Sequence, residues 1–412
     1  MTVSRFPRLM LLTLVTVSCG GAADGSAAIV PVRSLSSVAI AWNGKPLAQG
    51  TTVQMNAVAK DNQGAELPTG VVTWTSSDPA SASVSASGEV AAIGRSGSVT
   101  ITATSGGKSG TASVPLWWVY RSGPQTAYKV GFSLISVRDT AHNRQIVLGV
   151  RLPVGASGPL PIVFDVFPSG GGYSLDSTWG NALARAGYAV LHVGSFSYDQ
   201  PQLCASFQVQ DCSALILPDR LSNARDVRIV MDNLASVGSR AGVVFDSARV
   251  GMLGASAGGA VAMYLAGALV DLSPAVKGVS LADSRFAAFL TNSAPATATA
   301  DGSPSGFSST SWTSISKPAM QQTGSGDEPG RRVVYDVMRP GDKFLSFFDS
   351  PLVTHQSFFF LDLAPPEFAP LIVTNGMAFF DAYLRGSAEA KAWLTTNQLS
   401  RGTNGVAQIS NK

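Results

Sequence analysis

The sequence predicts an α/β domain that follows a smaller all-β domain. Across Ser34–Leu116, short stretches alternate apolar and polar residues and are separated by Gly, Ser, Asp and Pro, which is typical of short strands in a sandwich. Across Trp117–Leu394, apolar strand-like runs alternate with helical segments, which indicates a mostly parallel sheet with helices on both faces. A third observation is the peptide Gly-Ala-Ser-Ala-Gly at 254–258, which joins one of these strands to a helix.

The composition of the 412-residue chain limits the classes of function. Charged residues make up 13% and hydrophobic residues 45%, which supplies ample material for a core. Lys+Arg 29 against Asp+Glu 26 leaves a net charge of +3, so we expect no nucleic-acid partner. With 3 Cys and 3 His a Cys/His metal centre is close to excluded, and we expect neither a metal nor an organic cofactor.

Residues 1–19 have the pattern of an export signal. Two arginines precede the apolar stretch Leu9–Val17, which is too short to span a bilayer. The end of the pattern, with Ser18 before Cys19, resembles a bacterial lipoprotein signal, which implies cleavage before Cys19 and lipidation of that cysteine. Residues 20–33 then form a flexible tether, and the protein is held in the bacterial cell envelope, at the outer membrane or the cell surface. Ordinary secretion with Cys19 removed is the alternative.

Export has a consequence for the other two cysteines. Cys204 and Cys212 lie eight residues apart in a loop-like segment and would meet an oxidising compartment. We therefore expect a local disulfide between them. Two free buried thiols are the alternative.

The strand-rich segment resembles a known family of small β domains. The stretches Val72–Pro79, Ser87–Gly94 and Val99–Thr104 look like those of the bacterial Ig-like group 2 family. The resemblance implies an Ig-like sandwich across 34–116. Two roles remain open for it, a spacer that holds the next domain away from the membrane and a binding module for a surface glycan or protein.

The larger domain shows the expected alternation of strands and helices. Pro161–Phe167, Gly187–Val193 and Arg249–Gly254 read as buried strands. Between them, four apolar residues spaced at i, i+3, i+4 and i+7 predict one apolar face of a helix: Val227, Val230, Met231 and Leu234. We place the end of this domain at 394 and treat residues 395–412 as a C-terminal tail.

The junction at 254–258 predicts a nucleophilic serine. The strand that ends at Leu253 runs directly into Gly254-Ala-Ser-Ala-Gly258, and a helix-like run follows. A tight turn in this context exposes the hydroxyl of Ser256 at the carboxyl edge of the sheet, while Gly254 and Gly258 allow close approach of the neighbouring backbone. The helix N-terminus behind Ser256 favours developing negative charge. An incidental glycine turn is the alternative.

The general base follows from the few histidines. In folds with this junction the catalytic residues occur in the chain order serine, acid, histidine. His355 is the one histidine after Ser256, and it lies in a loop that follows the strand-like run Lys343–Phe348. His192, inside an apolar strand, reads as a structural histidine.

The acid is chosen among several carboxylates between Ser256 and His355. It should follow a strand at the same edge of the sheet, because it must orient the imidazole. Lys317–Thr323 reads as a short strand and the turn after it delivers Asp327. Asp327 is therefore the predicted acid, with Glu328 and Asp349 as alternatives.

The larger domain also resembles a known family across about Tyr128–Leu394. It looks like the predicted dienelactone hydrolases of the platelet-activating-factor acetylhydrolase-like group. The similar stretches are Leu217–Leu234, Thr323–Asp327, Arg339–Phe344, Thr354–Phe358, Phe379–Gly386 and Ala392–Leu394. The resemblance implies an α/β-hydrolase fold with a Ser/Asp/His triad, carried onto Ser256, Asp327 and His355. True dienelactone hydrolases use a cysteine nucleophile, so serine at 256 provides no support for dienelactone as substrate.

One departure from the family concerns the oxyanion hole. Relatives usually carry His-Gly after the first central strand, whereas this chain has Phe-Pro-Ser-Gly-Gly-Gly at 167–172. Pro168 has no N–H to donate. We therefore expect the donors to be the backbone N–H of Ala257 and that of Ser169 or Gly170.

These features predict an exported, lipid-anchored serine esterase that acts on a small-molecule or polymeric ester. Phe196, Tyr198, Phe207 and Phe358–Phe360 are candidates for an apolar cleft, with core packing as the alternative. A surface binding protein with an inactive hydrolase domain, and an amide or thioester hydrolase with the same triad, are the competing functions.

Overall fold

The chain forms an all-β N-terminal unit and a larger unit built on one mixed sheet. The computed structural model describes residues 33–94, 97–122, 127–168, 177–194, 216–272, 275–296, 306–396 and 398–412. Within these ranges, no helix combines the length and apolar character needed to cross a membrane.

The N-terminal unit consists of ten short strands in three small sheets, ordered β1-β4-β5, β2-β10-β9-β6 and β3-β8-β7. The strands are β1 Leu35–Ala41, β2 Leu47–Ala48, β3 Thr52–Gln54, β4 Asn56–Asp61, β5 Glu66–Leu67, β6 Thr73–Ser76, β7 Ala82–Val84, β8 Glu89–Ala92, β9 Gly97–Ser105 and β10 Lys108–Trp117.

Alternation along β9 builds the core of this unit. Val99, Ile101 and Ala103 are buried, whereas the intervening threonines point outward. Strands β3 and β4 are separated by Met55, whose side chain is fully buried. The predicted all-β character is confirmed.

The boundary predicted between residues 116 and 117 falls inside a strand, and the N-terminal unit ends one residue later. Trp117, placed by the sequence at the start of the second domain, is the last residue of β10. Its ring packs edge-to-face on Phe368, with 5.4 Å between ring centroids. Nearby, Lys45 Nζ lies 3.1 Å from a carboxylate oxygen of Glu367. The end of the N-terminal unit therefore packs against the segment that directly precedes the helix Ala369–Leu384.

The larger unit is organised around a nine-stranded sheet with the order β11-β12-β14-β13-β15-β18-β19-β20-β21. The six consecutive strands β14-β13-β15-β18-β19-β20 are parallel to one another. The strands β11, β12 and β21 are antiparallel to their neighbours. The strands, with the separate hairpin β16-β17, are β11 Lys129–Asp139, β12 Arg144–Val154, β13 Leu160–Val166, β14 Ala189–Val193, β15 Phe245–Ala255, β16 Leu269–Val270, β17 Val279–Ser280, β18 Ala288–Asn292, β19 Ala319–Gly324, β20 Lys343–Phe348 and β21 Ala407–Asn411.

Helices cover both faces of this sheet. The described residues form eight α-helices: α1 Thr178–Arg185, α2 Ile216–Asp232, α3 Leu234–Ala241, α4 Ala257–Ala266, α5 Val333–Val337, α6 Ala369–Leu384, α7 Ala388–Thr395 and α8 Gln398–Gly402. In β13, Ile162 and Phe164 enter the core shared with α2 and α4, whereas Val163 enters the core shared with α1 and α6. The predicted apolar face is buried, since Val227 and Val230 are fully enclosed, but the helix ends at Asp232, so Leu234 belongs to α3.

The C-terminal segment is part of the domain and not a tail. Within 395–412, helix α8 leads to β21, which pairs with β20 from Phe344–Asn411 to Phe348–Ala407. Ala407 is fully buried and its N–H donates to the hydroxyl of Thr403 at 3.1 Å. β21 pairs with the N–H and C=O groups on the edge of β20 that does not face β19, and these groups would otherwise be unpaired within the sheet.

A single substitution tests this placement of the C-terminus. Ala407→Asp should lower the free energy of unfolding by more than about 2 kcal/mol, because it buries a charge without a partner. Gln408→Asp, at the exposed neighbouring position, is the matched control and should change it by less than about 0.5 kcal/mol. Urea unfolding of the full chain measures both, and equal midpoints for Ala407→Asp and the wild type would contradict the assignment.

Candidate active site

Ser256 lies alone between the end of β15 at Ala255 and the start of α4 at Ala257. Its backbone has φ +51° and ψ −117°, in a region that non-glycine residues seldom adopt. Its N–H donates to the carbonyl of Asn292 at 2.9 Å, which ties the turn to the end of β18. Such strain persists only where neighbouring structure fixes it, and it is common at functional sites.

The glycines around Ser256 are required by close backbone approach. A Cβ on Gly254 would lie 2.2 Å from the carbonyl oxygen of Gly258. A Cβ on Gly258 would lie 2.0 Å from the carbonyl oxygen of Val166, and one on Gly259 would lie 2.7 Å from Ala294 Cβ. The chain therefore makes the sharp strand-to-helix turn only with these residues.

His355 reaches Ser256 from the loop that follows β20. It is the first residue of a short 3₁₀ helix, His355–Phe358, whose start is fixed by reciprocal hydrogen bonds between Thr354 and Ser357. His355 Nε2 lies 3.0 Å from Ser256 Oγ, within hydrogen-bond distance. Its side chain is about three-quarters enclosed, at 25% exposed.

Asp327 lies behind His355, in the turn that follows β19. Its side chain is fully enclosed, and one carboxylate oxygen lies 3.4 Å from His355 Nδ1. The Thr323 hydroxyl donates to the second oxygen at 2.8 Å, and the N–H of Glu328 donates to the first at 2.8 Å. The two alternatives lie elsewhere: Glu328 pairs with Arg331, and Asp349 is exposed at the end of β20.

The surroundings of Asp327 favour its ionised form. Burial acts to raise the pKa, but hydrogen bonds from His355, Ser293, Thr323 and the Glu328 N–H outweigh it and hold the pKa of Asp327 below its ordinary value. The carboxylate is therefore charged throughout the neutral range and available to an imidazolium.

Ser293 also contacts His355, a role that sequence reasoning did not predict. Its hydroxyl hydrogen-bonds to His355 Nδ1, the same nitrogen that faces Asp327. Ser293 follows β18 directly, is fully buried and has φ +51°. An Ala-, Ser- and Thr-rich stretch begins there, but composition alone does not reveal a left-handed backbone.

The predicted oxyanion-hole residues divide into two groups. Ala257 is the first residue of α4, so its N–H belongs to the first-turn donors that lack an acceptor within the helix. The other two candidates, Ser169 and Gly170, lie outside the described residues.

Six further residues singled out from the sequence also lie outside the described residues: Cys19, Phe196, Tyr198, Cys204, Phe207 and Cys212.

The phenylalanine run beside His355 is divided between core and surface. Phe358 is fully buried, as expected for core packing. Phe359 packs edge-to-face on the His355 ring, with centroids 5.1 Å apart. Phe360 contacts Phe359 at 4.9 Å and is 51% exposed. An apolar surface therefore begins at the imidazole and extends into solvent.

The other two histidines lie apart from this group. His192 is fully buried, with Nδ1 3.0 Å from a carboxylate oxygen of Asp165, and burial lowers its pKa. His142 pairs with Asp139 in the β11–β12 turn. Within the described ranges, no three His, Cys, Asp or Glu side chains are grouped as a metal ion would require.

Comparison with known families identifies the N-terminal unit. The profile of the bacterial Ig-like domain (group 2) matches residues 35–115. This unit is a bacterial Ig-like domain. The resemblance noted across 34–116 is thereby confirmed. No curated protein matches the chain.

The electrostatics of Asp327 lead to a pH-dependent stability. Because its pKa is lower in the folded than in the unfolded chain, the carboxylate stabilises the fold above its ordinary pKa of 3.8, and this contribution is lost as pH falls through the folded value. Asp327→Asn should cost about 1–3 kcal/mol at pH 7, since a buried acceptor is removed, and the difference should narrow below pH 3.8.

Urea unfolding of the full chain between pH 7 and pH 3 measures this difference. Asp349→Asn, which changes an exposed carboxylate, is the control and should stay close to the wild type at each pH. A gap for Asp327→Asn that widens on acidification would contradict the expected pH dependence.

Proposed function

We propose that the protein is a serine hydrolase that cleaves carboxylic esters through an acyl-enzyme. The observation that carries the proposal is the 3.0 Å contact between Ser256 Oγ and His355 Nε2, made by a serine on a strained strand-to-helix turn. Asp327, enclosed behind the imidazole, supplies the third group of a Ser-His-Asp arrangement.

The sheet supports an α/β-hydrolase fold for the catalytic domain. Counted along the chain from β11, Ser256 follows the fifth strand of the large sheet, Asp327 the seventh and His355 the eighth. These strands are parallel, so their carboxyl ends lie at one edge and bring the three side chains together. The order serine, acid, histidine agrees with that fold, as does the family resemblance of this part of the chain.

The proposed reaction begins with transfer of the Ser256 hydroxyl proton to His355 Nε2. Ser256 Oγ then bonds to the ester carbonyl carbon, and the carbonyl electron pair moves onto oxygen. The N–H of Ala257, with that of Ser169 or Gly170, stabilises this oxyanion. The imidazolium next protonates the leaving alcohol as the C–O bond breaks. Water, deprotonated by His355, hydrolyses the acyl-enzyme and restores Ser256.

The surface beside His355 supports an apolar ester as substrate. Phe359 and Phe360 continue from the imidazole to solvent, at 5.1 and 4.9 Å between successive ring centroids. An acyl or alkoxy group of a substrate held at Ser256 would cover these rings and remove apolar surface from water. The proposal therefore extends to esters with alkyl, aryl or polymeric substituents.

The proposed location is the bacterial cell envelope. The lipoprotein-like signal at 1–19 and the Ig-like domain at 35–115 both support an exported protein, with Cys19 as the point of lipid attachment. A disulfide between Cys204 and Cys212 belongs to the same proposal. In this proposal the Ig-like domain holds the catalytic domain away from the membrane, with binding of a surface glycan or protein as the alternative role.

Ser256→Ala tests the proposed function. It should lower kcat for p-nitrophenyl esters by about 10⁴–10⁶-fold and abolish labelling by a fluorophosphonate, because the nucleophile is removed. Ser247→Ala is the matched control, since Ser247 is an exposed serine at the other end of the same strand. It should keep both activity and labelling.

The outcomes separate the competing functions. A folded wild type that neither turns over esters nor labels would overturn the proposal and favour a surface binding protein. Labelling that depends on Ser256, with no turnover of esters, would move the substrate class to amides or thioesters.

Phe360→Ser tests the apolar substrate site. It should lower kcat/KM by roughly three- to tenfold for p-nitrophenyl butyrate and longer esters, and by less than about twofold for the acetate, because only longer chains reach the ring. Val244→Ser, which changes an exposed apolar side chain beside the amino end of β15, is the control. An equal loss at every chain length would contradict this assignment.

A further inference from the structure

We propose that Ser293 is a positioning residue that links Asp327 to His355, so that the site contains a relay of four side chains. The inference rests on the proposed function for its catalytic meaning. Its geometry stands independently of the reaction.

The contacts at His355 Nδ1 carry the proposal. The nearest oxygen of Asp327 lies 3.4 Å away, beyond the usual range of about 2.7–3.2 Å for an N–H···O hydrogen bond. The Ser293 hydroxyl hydrogen-bonds to the same nitrogen. The serine is therefore the nearer partner of the imidazole, and the carboxylate interacts with the same nitrogen at a longer distance.

The donors and acceptors form one consistent sequence. An N–H at Nδ1 of His355 donates to Ser293 Oγ, which leaves the Ser293 hydroxyl proton available to the Asp327 carboxylate, whose pKa Ser293 helps to lower. This arrangement keeps Nε2 unprotonated and able to accept the proton of Ser256. When the imidazole becomes charged, the hydroxyl transmits the stabilising effect of the carboxylate.

The backbone of Ser293 is fixed in an uncommon conformation that aims the hydroxyl. Its φ of +51° is in the left-handed region, where a non-glycine residue is disfavoured. Its N–H donates to the carbonyl of Gln322 at 2.8 Å, and Arg331 donates to its carbonyl at 3.0 Å. Strain that the surroundings impose on one buried residue beside a proposed catalytic base indicates a role for that residue.

The charged groups around this relay are few among the described residues. Asp327 is the carboxylate that faces His355, and Arg331 lies behind Ser293 in an ion pair with Glu328. Among the described residues, the uncharged groups Ser256, Ser293 and Phe359 also contact the imidazole. Removal of the Ser293 hydroxyl should thus weaken the influence of Asp327 on the imidazolium without placing a new charge nearby.

Two substitutions of Ser293 in the full chain provide the test. Ser293→Ala removes the hydroxyl and leaves a non-glycine residue at a disfavoured positive φ. Ser293→Gly also removes the hydroxyl, and glycine adopts a positive φ without steric cost. Each should lower kcat by about 10–100-fold and move the acid limb of the kcat/KM profile to lower pH, because the imidazolium loses stabilisation. Should the alanine variant fail to fold, the glycine variant still provides the measurement.

Thr291→Val is the matched control. Thr291 is a buried residue two positions earlier, and its hydroxyl donates to Gln321 Oε1 and lies 3.2 Å from the carbonyl of Met320, without contact to His355. Its substitution should lower stability and leave the pH profile unchanged. A profile unmoved by both Ser293 variants, or moved equally by Thr291→Val, would overturn the proposal.

A spectroscopic readout keeps this proposal distinct from the proposed function. NMR titration of the His355 imidazole, assigned with His355→Gln, measures its protonation whether or not the protein hydrolyses esters. A downward shift in the Ser293 variants, with no ester turnover by the wild type, would support the relay and contradict the esterase. Ester turnover with an unchanged titration would leave the esterase and overturn the relay.

Discussion

The close crossing of α4 over β13 is the constraint on which the site depends. Gly258 lies so near the carbonyl oxygen of Val166 that a Cβ would meet it at 2.0 Å, and Gly254 is equally confined by Gly258. These contacts force the chain to reverse direction within one residue, and Ser256 takes the positive φ that results. A serine within a regular helix or strand would be held less firmly, and its side chain would extend less far beyond the sheet.

The parallel sheet converts this local turn into a site. β15, β18, β19 and β20 are neighbours in the sheet and end at the same edge, so each following segment contributes one group. Ser256, Ser293, Asp327 and His355 come from these four segments in that order. Their spacing across the sheet is therefore set by strand pairing, whereas their orientation is set by local contacts such as the Thr323–Asp327 hydrogen bond.

What the sequence can predict follows from how local each signal is. Ser256 is predictable from a strand-to-helix junction rich in glycine, and His355 because a single histidine follows that junction. Asp327 requires only a short strand and a turn. Ser293 cannot be found in this way, since its position depends on a left-handed φ and on partners from two other segments. β21 also escapes prediction because the buried Ala407 provides little hydrophobic signal, and its stability comes from pairing with a distant strand.

The same contacts that fix the turn at Ser256 also hold the start of the segment proposed to form the oxyanion hole. Besides Val166, a Cβ on Gly258 would meet the carbonyl oxygen of Phe167 at 2.7 Å, so the first turn of α4 lies against the exit of β13. Phe167 in turn stacks on the buried His192, with 5.4 Å between ring centroids. His192 is also paired with Asp165, which lies two residues before Phe167. Because burial lowers its pKa, His192 remains a neutral platform at neutral pH. The buried His192 thus has a physical reason to be there, since it supports the backbone at the exit of β13, where the segment proposed to form the oxyanion hole begins.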